Sequence, residues 1–328
     1  MSTPRLEAAG ARERARYRRA LRRYRYVSTA VRVVVAMPAV VLSGMIVARL
    51  GGLFGLWGTI IALELWLLSL VPVVDQTRAR RRQRLEGCVA PTPEQACRLT
   101  PAWREVVGAA GVPATDYAIS VPESEEVRGS ASDGRIIEIS SAAVHRMAPA
   151  QLRALLAHEL GHLLSATHYF WYVMLYWYAL PLRALPVAVS ITREVRFRTQ
   201  RRRAPLDGML VAADAAAWAA VIALLIWLFG LRGALVAIAL LVAQRLATRA
   251  IDRRDEWVAD RVAVDLGFGS GVVSWLREYG HDFRGERRGS GPPSWPDRLF
   301  TLVSTHPLVH DRIGMAEAMV FVRERDSR

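Results

Sequence analysis

Two adjacent apolar runs near the start of the chain constrain its fold more than any other feature. Residues 27–50 and 51–74 are each long enough to cross a hydrocarbon core of about 30 Å as a helix, and only the Gly51-Gly52 pair separates them. The sequence therefore predicts a transmembrane hairpin that turns at these glycines. Glu64 lies mid-span in the second run, where an ionisable group is costly and suggests a function by default. A protonated or helix-paired carboxyl is an equally good interpretation, so Glu64 receives no role from the sequence.

The distribution of charge indicates how the chain is oriented in the membrane. The net charge of +14 comes entirely from arginine, because the sequence contains no lysine. Arginine clusters in residues 1–26, 78–84 and 193–203 flank apolar runs, as the positive-inside rule expects for cytoplasmic segments. We therefore predict a multi-pass protein of the cell membrane, in contact with the lipid bilayer and without a nucleic-acid partner. The first apolar run is too long to be the core of a secretory signal.

Three further apolar segments, residues 168–191, 209–229 and 233–249, follow in the second half of the chain. If both halves of an active site lie on one side of the membrane, the chain between them crosses the membrane an even number of times. At most two of the three segments can therefore span it. Because an arginine-rich loop precedes residue 209, we favour a second hairpin formed by 209–229 and 233–249. The Trp- and Tyr-rich segment 168–191 would then lie at the membrane interface. The alternative makes 168–191 a full span and the other two segments one long helix broken near Gly230.

The stretch Leu155–Leu164, LLAHELGHLL, carries the chemistry of the chain. In the order H-E-x-x-H, His158 and His162 share one helix face, so both imidazoles can bind one zinc ion while Glu159 reaches the water on that ion. A surface helix with two incidental histidines is the alternative, but few chance matches lie in a strongly apolar helix. Gly161 leaves room close to the metal for substrate or for backbone.

A zinc ion with two histidine ligands needs a third protein ligand and an open position for water. Glu256 and Asp260 are four residues apart and share a helix face. We predict that Glu256 binds the metal and that Asp260 accepts a hydrogen bond from the free ring nitrogen of a ligand histidine; a solvated acidic face is the alternative. His168 stands where the metzincin pattern places its third histidine, but Ser165 replaces the glycine whose turn would bring it back to the metal.

Residues 86–147 look soluble and predict a small sheet. Tyr117–Val121, Val127–Ala131 and Arg135–Ser140 have the composition of strands, and Asp133-Gly134 predicts a tight turn between the last two. The resulting β-hairpin directly precedes the H-E-x-x-H helix. Its edge strand can bind an extended peptide by adding it to the sheet, although an ordinary hairpin without a ligand is also possible.

The chain contains two cysteines, Cys88 and Cys97. Two cysteines exclude a disulfide framework and a thiolate zinc site. We expect a reduced pair facing the cytoplasm, and a single bridge between them stays open.

Three motifs in this order, H-E-x-x-H, E-x-x-x-D and S-T-H-P followed by Arg312, resemble the HtpX-type membrane zinc metalloproteases, the family that also includes the eukaryotic CAAX prenyl protease. The resemblance implies a mainly helical, α+β fold with multi-pass membrane helices, a gluzincin-like protease domain and a small β-hairpin. It further implies one Zn²⁺ bound by His158, His162 and Glu256, and Glu159 as catalytic base and acid.

By the same resemblance, Asp260 lies beside the metal ligands and His306 and Arg312 lie near the active site. An imidazole or guanidinium there can stabilise the oxyanion of the tetrahedral intermediate or hold the peptide backbone; a structural turn is the alternative. The chain departs from the family at residues 128–131, Arg-Gly-Ser-Ala, where such proteases often have an Asn-Ala-Phe-Ala-like strand. It also has one extra apolar segment between the two halves of the site.

The sequence thus predicts an integral-membrane zinc endopeptidase with its active site in the cytoplasm, acting on membrane or membrane-proximal polypeptides, misfolded ones included. The predicted domains are a basic arm (1–26), a hairpin (27–74), a first catalytic part (75–165), membrane segments (166–250) and a second catalytic part (251–328). A signalling receptor that cleaves a repressor would need a sizeable external sensor, for which the sequence offers no candidate. An inactive scaffold usually lacks the catalytic glutamate or a metal ligand, whereas this sequence keeps both Glu159 and the predicted ligands.

Overall fold

The fold is mainly helical with one small sheet, as the sequence predicts. A computed structural model describes residues 4–75, 85–132, 135–165, 169–181, 205–280 and 306–326. The helices in these ranges are α1 (Pro4–Gly52), α2 (Gly55–Leu68), α3 (Pro93–Ala110), α4 (Ser141–Arg146), α5 (Pro149–Ser165), α6 (Tyr169–Tyr178), α7 (Pro205–Ala263), α8 (Gly269–Tyr279) and α9 (Val309–Asp326). The strands are β1 (Ala118–Ser120), β2 (Gly129–Ser132) and β3 (Ile136–Ile139).

Two compact units divide the chain. The first comprises residues 1–30, 78–169 and 248–328, and the second comprises residues 31–77 and 170–247. Each unit is therefore assembled from segments that are distant in sequence.

The sheet of the first unit confirms the predicted hairpin. Strand order is β1-β3-β2, with β1 parallel and β2 antiparallel to β3. Ser130 pairs with Glu138, and the predicted Asp133-Gly134 turn lies outside the described residues. Among the described strands, β2 is consequently an edge strand, which can pair with a further strand.

The core of the first unit surrounds helix α5. The side chains of Leu155, Leu156 and Leu160 are fully buried, together with Val106 of α3 and Ile137 of β3. The leucines of α5 lie on one half of the helix, as the i, i+3, i+4 spacing predicts, and this half packs into the core.

Helices α8 and α3 have well-defined local determinants. A Cβ atom at Gly271 of α8 would lie closer than van der Waals contact to the carbonyl oxygen of Ala150, so this glycine allows α8 to approach α5. Helix α3 begins with a capping box, in which Thr92 accepts a hydrogen bond from the Gln95 backbone and the Gln95 side chain accepts one from the Thr92 backbone.

The second unit contains the first predicted hairpin, but its turn is not at the predicted residues. Helix α1 continues through Gly52, and the turn comprises Leu53 and Phe54. Gly51 instead faces Gly58 of α2, where a Cβ atom at residue 51 would lie 2.6 Å from the Gly58 carbonyl oxygen. The glycines were misassigned because Gly51 serves helix packing, whereas Gly55 (φ 78°) takes the left-handed conformation.

Apolar helices dominate the second unit. Three helical stretches among the described residues are long and apolar enough to cross a membrane: Arg19–Gly52, Gly55–Asp75 and Ile222–Tyr279. Pro38 interrupts the hydrogen bonding of α1, and the nearby Ala39 amide donates instead to the Gln244 side chain, at 3.1 Å.

Helix α7 is interrupted at one residue. Gly230 has φ 70° and ψ 169°, which are not helical angles, and it lies between the predicted spans 209–229 and 233–249. Both topologies derived from the sequence place a break here, so the number of crossings stays a prediction. Of segment 168–191, residues 169–181 are described; there Trp177 and Tyr178 donate hydrogen bonds to Ser69 Oγ and the Leu67 carbonyl of the second unit.

Adding a methyl group at Gly51 should destabilise the protein. We expect Gly51→Ala to lower the free energy of unfolding by about 1–3 kcal/mol, because overpacking forces two helices apart. Thermal unfolding in detergent measures this effect. The matched control is Gly52→Ala, whose Cβ would meet only Thr59 Oγ1 at an ordinary 3.5 Å. Equal melting temperatures for the two variants would contradict the prediction.

Candidate metal centre

Two helices that are distant in sequence come into backbone contact at Gly161. A Cβ atom at this position of α5 would lie 3.0 Å from the Cα and 3.1 Å from the carbonyl oxygen of Ala259 in α7. Both distances are shorter than ordinary van der Waals contact. The space that was predicted beside Gly161, for substrate or for backbone, is therefore occupied by the backbone of α7.

This contact brings three candidate ligands together. His158 Nε2 and His162 Nε2 are 3.1 Å apart, and the Glu256 carboxylate oxygens lie 3.6 Å and 3.5 Å from these two nitrogens. A tetrahedral site with bonds of about 2.1 Å, as zinc prefers, has ligand atoms about 3.4 Å apart. One ion fits among these three side chains, which form a group able to hold a metal.

Asp260 contacts the second ring nitrogen of His158, and Arg312 contacts Asp260. The fully buried Asp260 places one oxygen 2.9 Å from His158 Nδ1, the ring nitrogen that faces away from Glu256. Arg312 of α9 donates from Nε and Nη2 to the two Asp260 oxygens, each at 2.7 Å. This bidentate pair fixes the carboxylate, and the carboxylate in turn orients the imidazole.

His306 and Arg312 also contact Glu256. His306 Nδ1 lies 2.9 Å from one Glu256 oxygen, and Arg312 Nη1 lies 3.3 Å from the other. The two residues differ in accessibility, because the His306 side chain is 47% exposed and that of Arg312 is 9% exposed. The sequence-predicted neighbours of the site therefore do meet at it, one at its surface and one in its interior.

Glu159 is buried next to the two histidines. Burial raises the pKa of Glu159 to about 7, and the nearby carboxylate of Glu256 acts in the same direction. A carboxyl group with a pKa near neutrality can both accept and donate a proton at physiological pH.

The two histidines differ in their electrostatic environment. Burial lowers the pKa of His162 to about 4, so its imidazole is neutral and able to bind a metal. Burial acts in the same direction on His158, but the adjacent Asp260 carboxylate outweighs it and raises the pKa of His158.

The edge strand β2 passes directly beside Glu159. A Cβ atom at Gly129 would lie 2.8 Å from Glu159 Oε1 and 3.0 Å from Leu155 Cδ1. Glycine at this position therefore lets the strand and the glutamate lie side by side.

Trp275 is a site neighbour that the sequence reasoning missed. Its ring contacts the His158 ring edge-on, with centroids 5.3 Å apart, and the Arg312 guanidinium lies 5.7 Å from its centroid. The apolar spacing of Val272, Trp275 and Leu276 predicts a buried face of α8. That pattern does not indicate which side chains the face meets.

The rival third ligand, His168, lies outside the described residues. Helix α5 is described to Ser165, whose hydroxyl donates a 2.8 Å hydrogen bond to the Gly161 carbonyl. This bond lies within the last described turn of the helix.

An H-E-x-x-H helix joined by a carboxylate from a second helix defines a metallopeptidase site. The sequence profile of peptidase family M48 matches residues 93–320. This match covers more than half of the chain, so the chain belongs to peptidase family M48, which includes the HtpX and CAAX prenyl proteases. The protein is therefore a metallopeptidase of a family that hydrolyses polypeptides. No curated protein matches the sequence significantly.

A side chain at residue 161 should abolish metal binding by separating the two helices. We expect Gly161→Val to lower the metal content from one equivalent per chain to a small fraction, because Glu256 would move out of reach of the imidazoles. Metal analysis of purified protein measures this. The control is Gly108→Val in α3, where a Cβ atom has no neighbour within 4 Å. Full metal content in Gly161→Val would contradict the expectation.

Proposed function

We propose that this protein is an integral-membrane zinc endopeptidase that cleaves membrane or membrane-proximal polypeptides. The observation that carries the proposal is the cluster of His158, His162 and Glu256 donor atoms, 3.1–3.6 Å apart, with Glu159 buried beside it. Two imidazoles and one carboxylate are the donor set of catalytic zinc, with a fourth position open to water. A bound zinc ion supplies Lewis-acid chemistry that activates water and polarises the scissile carbonyl.

Glu159 performs the proton transfers in this proposal. Its carboxylate accepts a proton from the attacking water and then donates it to the leaving amine. The burial that raises the pKa of Glu159 to about 7 supports both roles, because the acid and base forms are then of similar free energy at neutral pH.

Strand β2 binds the substrate. An extended peptide adds to the open edge of β2, in the direction that leads past Gly129, and its scissile bond reaches Glu159. The proximity of Gly129 to the Glu159 carboxylate supports this arrangement.

His306 and Arg312 have different tasks. The partly exposed His306 is suited to stabilise the oxyanion of the tetrahedral intermediate, since its imidazole is open to solvent while Nδ1 is held by Glu256. The contacts of Arg312 favour a positioning role, in which the guanidinium keeps Asp260 and Glu256 charged and in place.

The second unit is the membrane domain in this proposal, and the first unit is the catalytic domain on the cytoplasmic side. Three helical stretches with the length and hydropathy of membrane spans support it, as do the arginine clusters, which the positive-inside rule assigns to the cytoplasm. A protease with this location meets membrane-associated chains, so its substrates include misfolded membrane proteins.

Replacing the catalytic carboxyl should abolish hydrolysis while leaving the metal bound. We expect Glu159→Gln to cleave casein in detergent at least about 100-fold more slowly than wild type, because general acid–base catalysis contributes about 10²–10⁴-fold. Metal content should stay at one zinc per chain. The matched control is Glu105→Gln, a surface carboxyl paired only with Arg153 among the described residues. Cleavage by Glu159→Gln at the wild-type rate would refute the mechanism.

The zinc stoichiometry of two variants should identify the third ligand. We expect Glu256→Ala to lose zinc and His168→Ala to keep one ion per chain, since Glu256 lies within ligand distance of both imidazoles. Metal analysis after dialysis, with circular dichroism to verify folding, is the measurement. The opposite result would assign the third position to His168.

A further inference from the structure

One exposed face of the second apolar helix has the spacing of a helix–helix interface. Helical residues continue from Gly55 to Asp75, and within them five exposed positions follow one another at intervals of four, three, four and three residues. Four are large apolar side chains that are 52–74% exposed, and the central one is a carboxyl. We call this set the α2 seam; it comprises Trp57, Ile61, Glu64, Leu68 and Val71.

A repeat of four and three residues is the pattern of side chains that pack between two helices in a left-handed pair. Membrane helices commonly associate with the same crossing geometry. The neighbouring face of α2 is already used inside the second unit, where Gly58 faces Gly51 and the Trp66 ring lies against Gly44 and Tyr178. Within the part of the chain that the structure describes, the α2 seam lies on the side of the helix that these contacts leave exposed.

Glu64 lies at the centre of the seam and near the middle of the apolar stretch. An ionisable side chain at this depth is costly unless it is paired. Among the described residues, Glu64 has no hydrogen-bond or ion-pair partner. A neutral carboxyl group has one donor and acceptor oxygens, so a second carboxyl group satisfies it completely.

We propose that the α2 seam is the interface between two copies of this chain, with the two Glu64 carboxyl groups hydrogen-bonded to each other. The inference rests on the membrane insertion of α2 that forms part of the proposed function. All copies of a membrane protein insert with one orientation, so a twofold axis must run along the membrane normal and the two α2 helices must be parallel. In a parallel, in-register pair each seam residue meets its own counterpart, and Glu64 therefore meets Glu64.

The self-complementarity of the seam is what selects a second copy as the occupant. The four apolar positions pack against themselves, and the central polar pair fixes the register, as a single polar residue does in soluble coiled coils. A helix of another protein would need a donor at the matching depth, whereas a second copy supplies its own.

Disulfide crosslinking in proteoliposomes tests the proposal. Cys88 and Cys97, which are not joined by a disulfide, are first replaced by serine. Ile61→Cys and Leu68→Cys should then form covalent dimers on oxidation, because counterpart residues in a parallel pair come within disulfide distance. Leu67→Cys, which is 54% exposed but off the seam, is the matched control and should remain monomeric.

Substitution of Glu64 tests the role of the carboxyl. Glu64→Leu should weaken association in the bilayer by about five- to thirty-fold, the contribution of one polar contact between membrane helices, as measured by energy transfer between labelled copies at increasing lipid dilution. Glu64→Gln, which keeps a donor and an acceptor, should dimerise nearly as well as wild type. Casein cleavage by these variants reports on the active site separately.

Several outcomes would overturn the proposal. Equal crosslinking at Leu67 and Ile61, crosslinks to a different membrane protein in native membranes, or unchanged dimerisation of Glu64→Leu would each do so. Labelling of Ile61→Cys by a membrane-impermeant maleimide would show that α2 is not inserted, which refutes the proposed topology as well. If Ile61→Cys forms no crosslinked dimer and is also not labelled by the maleimide, α2 is inserted and the interface alone is refuted.

Discussion

The close backbone contact between α5 and α7 at Gly161 and Ala259 is the constraint on which the candidate metal centre depends. One helix can bring His158 and His162 to the same side by its own periodicity, but a third donor has to come from another helix. Glu256 lies three residues before Ala259, almost one helical turn, so the absence of a side chain at residue 161 brings its carboxylate within about 3.6 Å of both imidazoles.

Ion pairs between one guanidinium and two carboxylates stabilise the rest of the candidate centre. Glu256 and Asp260 are buried on α7, and buried charges are costly unless they are paired. Arg312 of α9 contacts both carboxylates, so the packing of α9 supplies the positive charge that compensates them in the interior. The Trp275 ring of α8 contacts both the Arg312 guanidinium and the His158 ring, and the candidate metal ligands therefore depend on four helices rather than two.

Much of this arrangement could be predicted from sequence, and the failures have physical causes. The spacing of His158, Glu159 and His162, the β-hairpin and the family membership all follow from local patterns, which helix and strand geometry translate directly into shared faces. The prediction of a turn at Gly51-Gly52 was wrong because a glycine in an apolar run is equally compatible with a turn and with a close contact between helices. The role of Gly129 could not be predicted from the sequence either. Only the packing shows that Glu159 occupies the space that a side chain at residue 129 would need.

The sequence by itself determined which side chains could perform the chemistry, because residue type and short-range periodicity are properties of a single helix. It also determined where apolar segments and arginine clusters alternate. Only the tertiary structure decided that His306 and Arg312 contact different oxygens of Glu256, that Trp275 contacts the His158 ring, and that an edge strand passes Glu159. These relations join segments far apart in the chain, and their distances depend on how the helices pack rather than on any local repeat.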